Sequence, residues 1–416
     1  MTAVVGILNK KGVAVAADSA VTVATPNNRK IYNSANKIFT LSKYHPVGVA
    51  LYNGADFMGI PWEIIIKEYR SYIGSRCFNT VQDYRDDFLR WMRDDCSLFK
   101  DERSEDYLMN DLLILFHQVW NRIHQMNEIP NKQNFLKSFE NIKTELEEYA
   151  IVLPDVDAIK RELTLFRESG IIAAYTEKAL GIALTDEELN LIEDVYATYL
   201  SRDYFLNYTG LIFVGYGDKE LFPRVLPINV SIAIGDELRF VYDENNEVII
   251  SNDFSASVSP FAQKDVIQTI LQGISPDLLS ETQSIFDDFF RKIIDFTLDL
   301  GVLSDKMKTK LNSMGVAEIR RLSEPFRTSL QNKIQRNHVF PMLDTVSHLD
   351  KEDLAEMAES LIYLTYLKRR FTMSEESVGG PVDVAIITKG DGFIWVKRKH
   401  YFEPDLNKHF FQKYYK

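Results

Sequence analysis

Three residues near the N-terminus carry side chains that could act together in hydrolysis: Thr2, Asp18 and Lys37. Once Met1 is removed, a threonine offers a hydroxyl nucleophile and, on the same residue, an α-amine that can accept the hydroxyl proton. The unperturbed pKa of an α-amine is about 7.7–8.0, so a nearby positive charge that lowers it by about one unit leaves the amine mostly neutral at pH 7. Lys37 could supply that charge, and Asp18 could hold Lys37 as its counter-ion. The pattern predicts an N-terminal nucleophile.

Strands must position these residues. The segment 3–17, AVVGILNKKGVAVAA, contains two β-prone runs separated by the turn signal Asn9-Lys10-Lys11-Gly12, which predicts a hairpin that starts at the first residues. A second pair of strands is predicted at 37–41 and 47–52. Further strands are predicted at 211–216, 227–234, 237–242, 247–251, 382–388 and 393–398.

Between these strands, residues of about 57–205 and 262–372 show apolar side chains at helical spacing. The order strands, helices, strands, helices, strands does not fit a doubly wound parallel sheet, in which single strands and single helices alternate. It predicts an α+β fold, in which two antiparallel sheets lie between helical layers. Because no linker rich in Gly, Ser or Pro is present, we expect residues 1–416 to form one domain.

Several blocks of the sequence resemble a known family. Residues 2–22, TAVVGILNKKGVAVAADSAVT, resemble the opening of proteasome β-subunits, which are N-terminal-nucleophile (Ntn) hydrolases. LIFVGYGD (211–218), SASVSPFA (255–262) and SVGGPVDVAIITKGDGFIW (377–395) resemble later parts of the family in the same order. The resemblance implies a four-layer αββα sandwich, in which 57–205 and 262–372 are helical insertions that enlarge the outer layers.

The resemblance also assigns roles to individual residues. Thr2 would be the nucleophile, with Asp18 and Lys37 as its charged partners. The backbone N–H of Gly54, or of Asn53 if the alignment shifts by one residue, would donate to the oxyanion. Lys30, in Arg29-Lys30-Ile31, competes with Lys37 for the lysine role, but Lys37 is favoured because an apolar strand follows it directly.

Two serines complete the site that the resemblance implies. Ser257 would hydrogen-bond near the amine of the nucleophile, and Ser377 would be a second supporting serine. The family pattern is altered around Ser377, because an extra Val378 precedes Gly379 and Glu375 stands where the family has an aspartate.

The leading hypothesis for function is a threonine peptidase that hydrolyses peptide bonds in a peptide or protein substrate. The resemblance implies assembly into an oligomer, and the helical insertions could instead bind a partner protein. Two alternatives remain open: a non-catalytic scaffold that binds partners through its insertions, and an Ntn amidase that acts on a small-molecule amide.

Composition excludes several other classes of protein. The formal charge of -12 disfavours nucleic-acid and anionic-membrane partners. No apolar run is long enough for a membrane span, and no signal peptide is recognisable, so we expect a cytoplasmic protein that starts at or next to Met1. Cys77 and Cys96 form no metal or disulfide motif, and His117 and His124 are seven residues apart, which does not suit a metal pair on a helix. No metal and no cofactor are expected.

Overall fold

The computed structural model describes residues 2–25, 28–94, 104–126, 129, 131–168, 170–181, 183–235, 237–299, 304, 306–307, 309, 316–372, 378–400, 402–409 and 412. These residues form a mixed α/β structure with antiparallel strand pairing.

The strands fall in three stretches of the chain. They are β1 (Ala3–Asn9), β2 (Gly12–Ala17), β3 (Val21–Thr25), β4 (Asn28–Tyr32), β5 (Ile38–Thr40), β6 (Val47–Asn53), β7 (Asp56–Phe57), β8 (Ile60–Pro61), β9 (Thr209–Gly215), β10 (Arg224–Ile234), β11 (Glu237–Tyr242), β12 (Val248–Ile249), β13 (Ala256–Ala262), β14 (Asp383–Thr388) and β15 (Gly392–Lys397).

The helices occupy the two stretches between them. They are α1 (Trp62–Ile73), α2 (Val81–Asp94), α3 (Ser104–Gln125), α4 (Lys132–Leu146), α5 (Val156–Glu168), α6 (Ile171–Leu180), α7 (Asp186–Ser201), α8 (Asp265–Gln272), α9 (Pro276–Asp299), α10 (Val316–Ile334), α11 (Phe340–His348) and α12 (Lys351–Phe371). A π-helical turn, Gln335–Val339, joins α10 to α11.

The chain divides into two compact units. The first comprises Met1–Ser34, Ile250–Ile386 and Trp395–Lys416, and the second comprises Ala35–Ile249 and Ile387–Ile394. Each unit is described by itself below. That residues 1–416 form one domain with four layers remains a prediction.

The first unit is built on a sheet with the strand order β13-β1-β2-β14-β15. Helix α12 packs on β1 and β2, and α11 packs on β13 and β1. Alternate residues of the sheet, such as Val5 and Ala16, form a buried apolar cluster with Ala358 and Ile362 of α12. The small alanines allow the helix to approach the sheet closely, so the face of β1 and β2 that lies under α12 is buried.

Asn9 ties the β1–β2 turn to the end of α11. Its Nδ2 donates to the carbonyl oxygens of Val346 and Leu349, both at 2.9 Å. Its Oδ1 accepts from the backbone N–H groups of Lys11 at 2.8 Å and Gly12 at 3.3 Å. Because these bonds involve both of its polar atoms, the fully buried amide carries little desolvation cost.

The second unit is built on a sheet with the strand order β11-β10-β9-β6-β5, and β12 pairs with β10. Every residue of β9 is buried. Helix α2 packs against β9, β10 and β11, and the rings of Phe88 and Phe213 meet edge to face with centroids 5.4 Å apart. Helices α1 to α7 share one large apolar core with the strands.

Candidate active site

Thr2 lies directly before β1, an interior strand that pairs with β2 on one side and β13 on the other. Thr2 is buried, with 4% of its surface exposed. The backbone N–H of Gln263 donates to its carbonyl oxygen at 3.3 Å, and Ala3 next to it pairs with Ala262. Thr2 is therefore held at one end of a sheet strand that is hydrogen-bonded on both sides.

Asp18 follows β2 directly and fixes the backbone next to Thr2. Its Oδ1 accepts from the N–H of Ala3 at 2.9 Å. Its Oδ2 accepts from the N–H groups of Ala20 and Gly379, both at 3.1 Å. The carboxylate is 2% exposed, and backbone hydrogen bonds of this kind offset the cost of burying its charge.

The turn at Gly379 and Gly380 joins this cluster. The Gly379 carbonyl accepts from the N–H of Ser19 at 3.1 Å, and Ser19 Oγ donates to the Pro381 carbonyl at 2.5 Å. Gly380 has a φ of +76°, and a Cβ there would approach the Cβ of Asn33 at 2.8 Å, so the turn needs glycine. The neighbouring candidates Glu375 and Ser377 lie outside the described residues.

Ser257 does not lie near Thr2. The pairing of β1 with β13 places Ser257 opposite Leu8, six residues from Thr2 along the chain, which is about 20 Å in a strand. Its Oγ lies 3.1 Å from Ser259 Oγ. The prediction that Ser257 hydrogen-bonds near the amine of Thr2 is therefore wrong, because β13 continues for five residues beyond Ser257 before it reaches Ala3.

The residue of this segment that lies next to Thr2 is Gln263, directly after β13. The sequence analysis did not identify it. Its side chain is buried, with 6% of the residue exposed. Ala262 before it has a φ of +62°, a left-handed conformation that is costly for alanine. The strand thus turns sharply where it meets Thr2. The only hint in the sequence was the position of Gln263 directly after the strand-like segment that ends at Ala262.

The two candidate lysines differ in burial. Lys37 immediately precedes β5 and is 4% exposed, and its carbonyl accepts from the N–H of Leu51 at 2.8 Å. Lys30 is exposed on β4, with its Nζ 5.1 Å from the centroid of the Tyr32 ring. A buried ammonium must be compensated, whereas an exposed strand lysine is ordinary, so burial favours Lys37 for a role in chemistry.

Gly54 follows β6 in the second unit, at the same end of its sheet as Lys37. A Cβ on Gly54 would lie 2.1 Å from Thr209 Oγ1, which accepts from Trp62 Nε1 at 2.9 Å. Asn53 before it is exposed and has a φ of +66°, so the chain turns here as it leaves the strand. Glycine is required at 54, because any side chain would displace Thr209.

The sequence also raised histidine and cysteine residues as candidates. His117 and His124 are exposed on α3, and each ring bonds a carbonyl of its own helix, Leu113 and Trp120 respectively. Cys77 is an exposed free thiol, and Cys96 lies outside the described residues. Within the described part of the chain, no three His, Cys, Asp or Glu side chains cluster as a metal site would require. Nor does any described helix combine the length and apolar character of a membrane span.

The first unit thus supplies a hydroxyl residue whose backbone is fixed on both sides, by Asp18 and by Gln263. The second unit supplies a buried lysine and a tight strand-to-turn backbone at one end of its sheet.

No family model and no curated protein sequence matches the chain. A structure search aligns it over nearly its whole length with Anbu proteins. An Anbu (Gly-1) mutant from Hyphomicrobium sp. strain MC1 is 8% identical, with 99% of this chain and 94% of that chain covered and a TM-score of 0.26. Anbu (ancestral beta-subunit) from Yersinia bercovieri is 11% identical, with the same coverage and a TM-score of 0.28.

Anbu from Hyphomicrobium sp. strain MC1 is 10% identical, with 100% of this chain and 97% of that chain covered and a TM-score of 0.30. At these scores the alignment does not define a common fold by itself.

Proposed function

We propose that this chain is an N-terminal threonine hydrolase of the proteasome β-subunit type, which cleaves peptide bonds once Met1 has been removed. The observation that carries the proposal is the set of contacts of Asp18. A carboxylate bound by three backbone N–H groups, one of them from Ala3, holds the start of β1 and therefore the backbone of Thr2. Fixing a nucleophile in one orientation is what an acyl-transfer reaction requires.

The chemistry follows from the residue itself. Thr2 Oγ attacks the peptide carbonyl while its proton passes to the Thr2 amine. The amine returns the proton to the leaving nitrogen as the C–N bond breaks, which leaves an ester on Oγ. Water, deprotonated by the same amine, then hydrolyses the ester and restores the hydroxyl.

Lys37 and the turn after β6 have supporting roles in this proposal. Lys37 is the positive charge that lowers the pKa of the Thr2 amine, because a positive neighbour disfavours the protonated amine. The N–H of Gly54, or of Asn53, is the donor to the oxyanion. The substrate is a peptide or protein, and the helical segments 57–205 and 262–372 serve assembly of copies or partner binding.

The test is covalent labelling with a β-lactone, in which a nucleophilic hydroxyl opens the strained ring and the whole probe is added as an ester. Intact-mass analysis of the natively expressed protein should first show loss of Met1. One probe should then be added per chain, and peptide mapping should find it on Thr2. Thr2→Ala should abolish labelling and peptide hydrolysis, whereas the matched control Thr345→Ala, an exposed threonine of α11, should keep both.

Other outcomes would replace the proposal. Retained Met1 together with an unlabelled chain would indicate the non-catalytic scaffold. Labelling of Thr2 with turnover of small amides but not of peptides would indicate an amidase. Labelling that persists in Thr2→Ala would exclude Thr2 as the nucleophile.

A further inference from the structure

Gln263 is the polar residue that β13 brings to Thr2. Its N–H donates to the Thr2 carbonyl at 3.3 Å, which extends the pairing Ala3–Ala262 by one residue. Opposite residues in antiparallel strands have Cα atoms about 4.5–5.5 Å apart, and this separation is within the reach of a glutamine side chain. Ser257, the residue expected in this place, lies about 20 Å away in the same strand.

The backbone around Gln263 is shaped for this position. Ala262 adopts a left-handed φ of +62°, and the N–H of Lys264 returns to the Ala262 carbonyl at 3.1 Å. Strained backbone of this kind persists only where surrounding contacts impose it, and it is concentrated at functional sites. Without the turn at Ala262, β13 would run past Thr2 in an extended conformation.

From this geometry we infer that Gln263 is a positioning residue for Thr2: its side-chain amide oxygen accepts a hydrogen bond from the freed Thr2 amine, on the side opposite Asp18. This inference rests on the proposed function, because it requires the amine of Thr2 to be free. A neutral amide orients the amine lone pair towards the hydroxyl without adding a charge that would keep the amine protonated.

Other charged groups near this end of β13 are already engaged in the first unit. Asp18 accepts three backbone N–H groups. Asp265, two residues after Gln263, binds Lys368 and Arg369 of α12 at 2.8 and 2.6 Å. Lys264, between Gln263 and Asp265 in the chain, is half-buried. A new carboxylate at position 263 is therefore the cleanest way to perturb the Thr2 amine from the β13 side.

The experiment measures the rate of β-lactone acylation of Thr2 against pH in the full chain. Gln263→Glu places a carboxylate at the amine, which should raise the pKa of the amine and move the acid limb of the rate profile up by about one pH unit. At a pH on that limb the rate should fall about tenfold. Gln263→Leu, which has no polar group, should lower the rate at every pH without moving the limb. Gln283→Glu on α9, in the same unit, is the matched charge control and should leave the profile unchanged.

The outcomes separate the two claims. If wild-type Thr2 is acylated and Gln263→Glu keeps the wild-type profile, the role of Gln263 is overturned while the threonine nucleophile stands. If wild-type Thr2 is never acylated, both are overturned. Far-ultraviolet circular dichroism of each variant identifies misfolding, and Gln263→Glu, which is nearly isosteric with the wild-type residue, remains decisive if Gln263→Leu does not fold.

Discussion

At the scale of single residues, the buried lysine has the strongest consequence for chemistry. Lys37 is 4% exposed, and an ammonium is buried at a cost of several kcal/mol unless it is well compensated. Lys30, seven residues earlier, is exposed and carries no such cost. A residue that is buried at a cost to stability is a better candidate for function than one that is not.

The two lysines make a matched pair of substitutions. In the proposed mechanism Lys37 is the charge that lowers the pKa of the Thr2 amine. Lys37→Met should therefore slow acylation of Thr2 about tenfold or more at pH 7, because loss of that charge raises the pKa of the amine and moves the acid limb to higher pH. Lys30→Met should leave the rate within about twofold of wild type. The measurement is the pH profile of β-lactone labelling, and an inactive Lys30→Met beside an active Lys37→Met would show that the lysine was chosen wrongly.

The sequence was sufficient to select Thr2, Asp18 and Lys37 as candidates but not to choose the partner of Thr2 on β13. Hydroxyl, carboxylate and ammonium groups can be recognised by type and by their position after apolar runs. The partner depends on how far β13 continues past Ser257, and this is set by pairing between segments about 250 residues apart. One shift in that pairing changes every neighbour, so spacing along the chain cannot fix it.

At the scale of elements, local signals were reliable where they were strong. The predicted hairpin around Lys10 and Lys11 is present, as are strands at 237–242 and the final hairpin. Helix α7 begins with a capping box in which Thr185 and Glu188 bond each other's backbone. The hairpin of β3 and β4 was missed. VTVAT has the Val and Thr alternation typical of a strand, but the pairing segment NRKIY begins with three polar residues that weaken the strand signal.

A buried polar cluster lies at the end of α7, and no sequence motif predicted it. Arg239 of β11 is fully buried and donates to the carbonyl oxygens of Leu200, Tyr199 and Tyr204 at 2.7–2.8 Å. Asp111 of α3 is buried nearby and accepts from the hydroxyls of Tyr196 and Tyr199 at 3.3 and 3.4 Å. Burial raises the pKa of Asp111 to about 6, although Arg239 and the two hydroxyls act in the opposite direction.

This carboxyl should make stability depend on pH. Because its pKa is higher in the folded state than in the unfolded chain, the folded protein binds more protons between about pH 4 and pH 6. The contribution of Asp111 to stability should therefore fall as pH rises through that window and stay lower above it. Asp111→Asn should remove this dependence and raise the free energy of unfolding at pH 7.5 by on the order of 2 kcal/mol.

Urea unfolding at pH 5 and pH 7.5 provides the measurement. Asp56→Asn, an exposed aspartate of the same unit, is the control and should follow wild type at both pH values. A variant Asp111→Asn that is less stable than wild type at pH 7.5 would mean that the ionised carboxylate contributes net stability through its two tyrosines.

At the scale of the whole molecule, the order of strand-rich and helical stretches could be predicted because it follows the period of apolar residues along the chain. How much apolar surface each helix buries could not be predicted. Helices α1 to α7 share a dense core with the second sheet, whereas α9 buries no residue. Both stretches are amphipathic in sequence, and periodicity does not show whether an apolar face finds a partner.

Helix α9 displays a stripe of exposed apolar side chains in the described structure: Leu278, Ile285, Phe289, Ile293 and Phe296. Their spacing of seven, four, four and three residues places them on one face of the helix. Phe289 is 55% exposed, whereas Phe88 of α2 is fully buried against Phe213. The same residue type therefore occurs in two opposite environments.

The contrast predicts very different costs for one substitution. Phe88→Ala removes a packed ring and leaves a cavity, so it should lower the free energy of unfolding by about 3–5 kcal/mol. Phe289→Ala deletes a ring that water already reaches and should change it by less than about 1 kcal/mol. Thermal and urea unfolding of the two variants beside wild type give the comparison. A Phe289→Ala variant as unstable as Phe88→Ala would show that the α9 stripe is covered in solution, since only a ring removed from water can contribute that much stability.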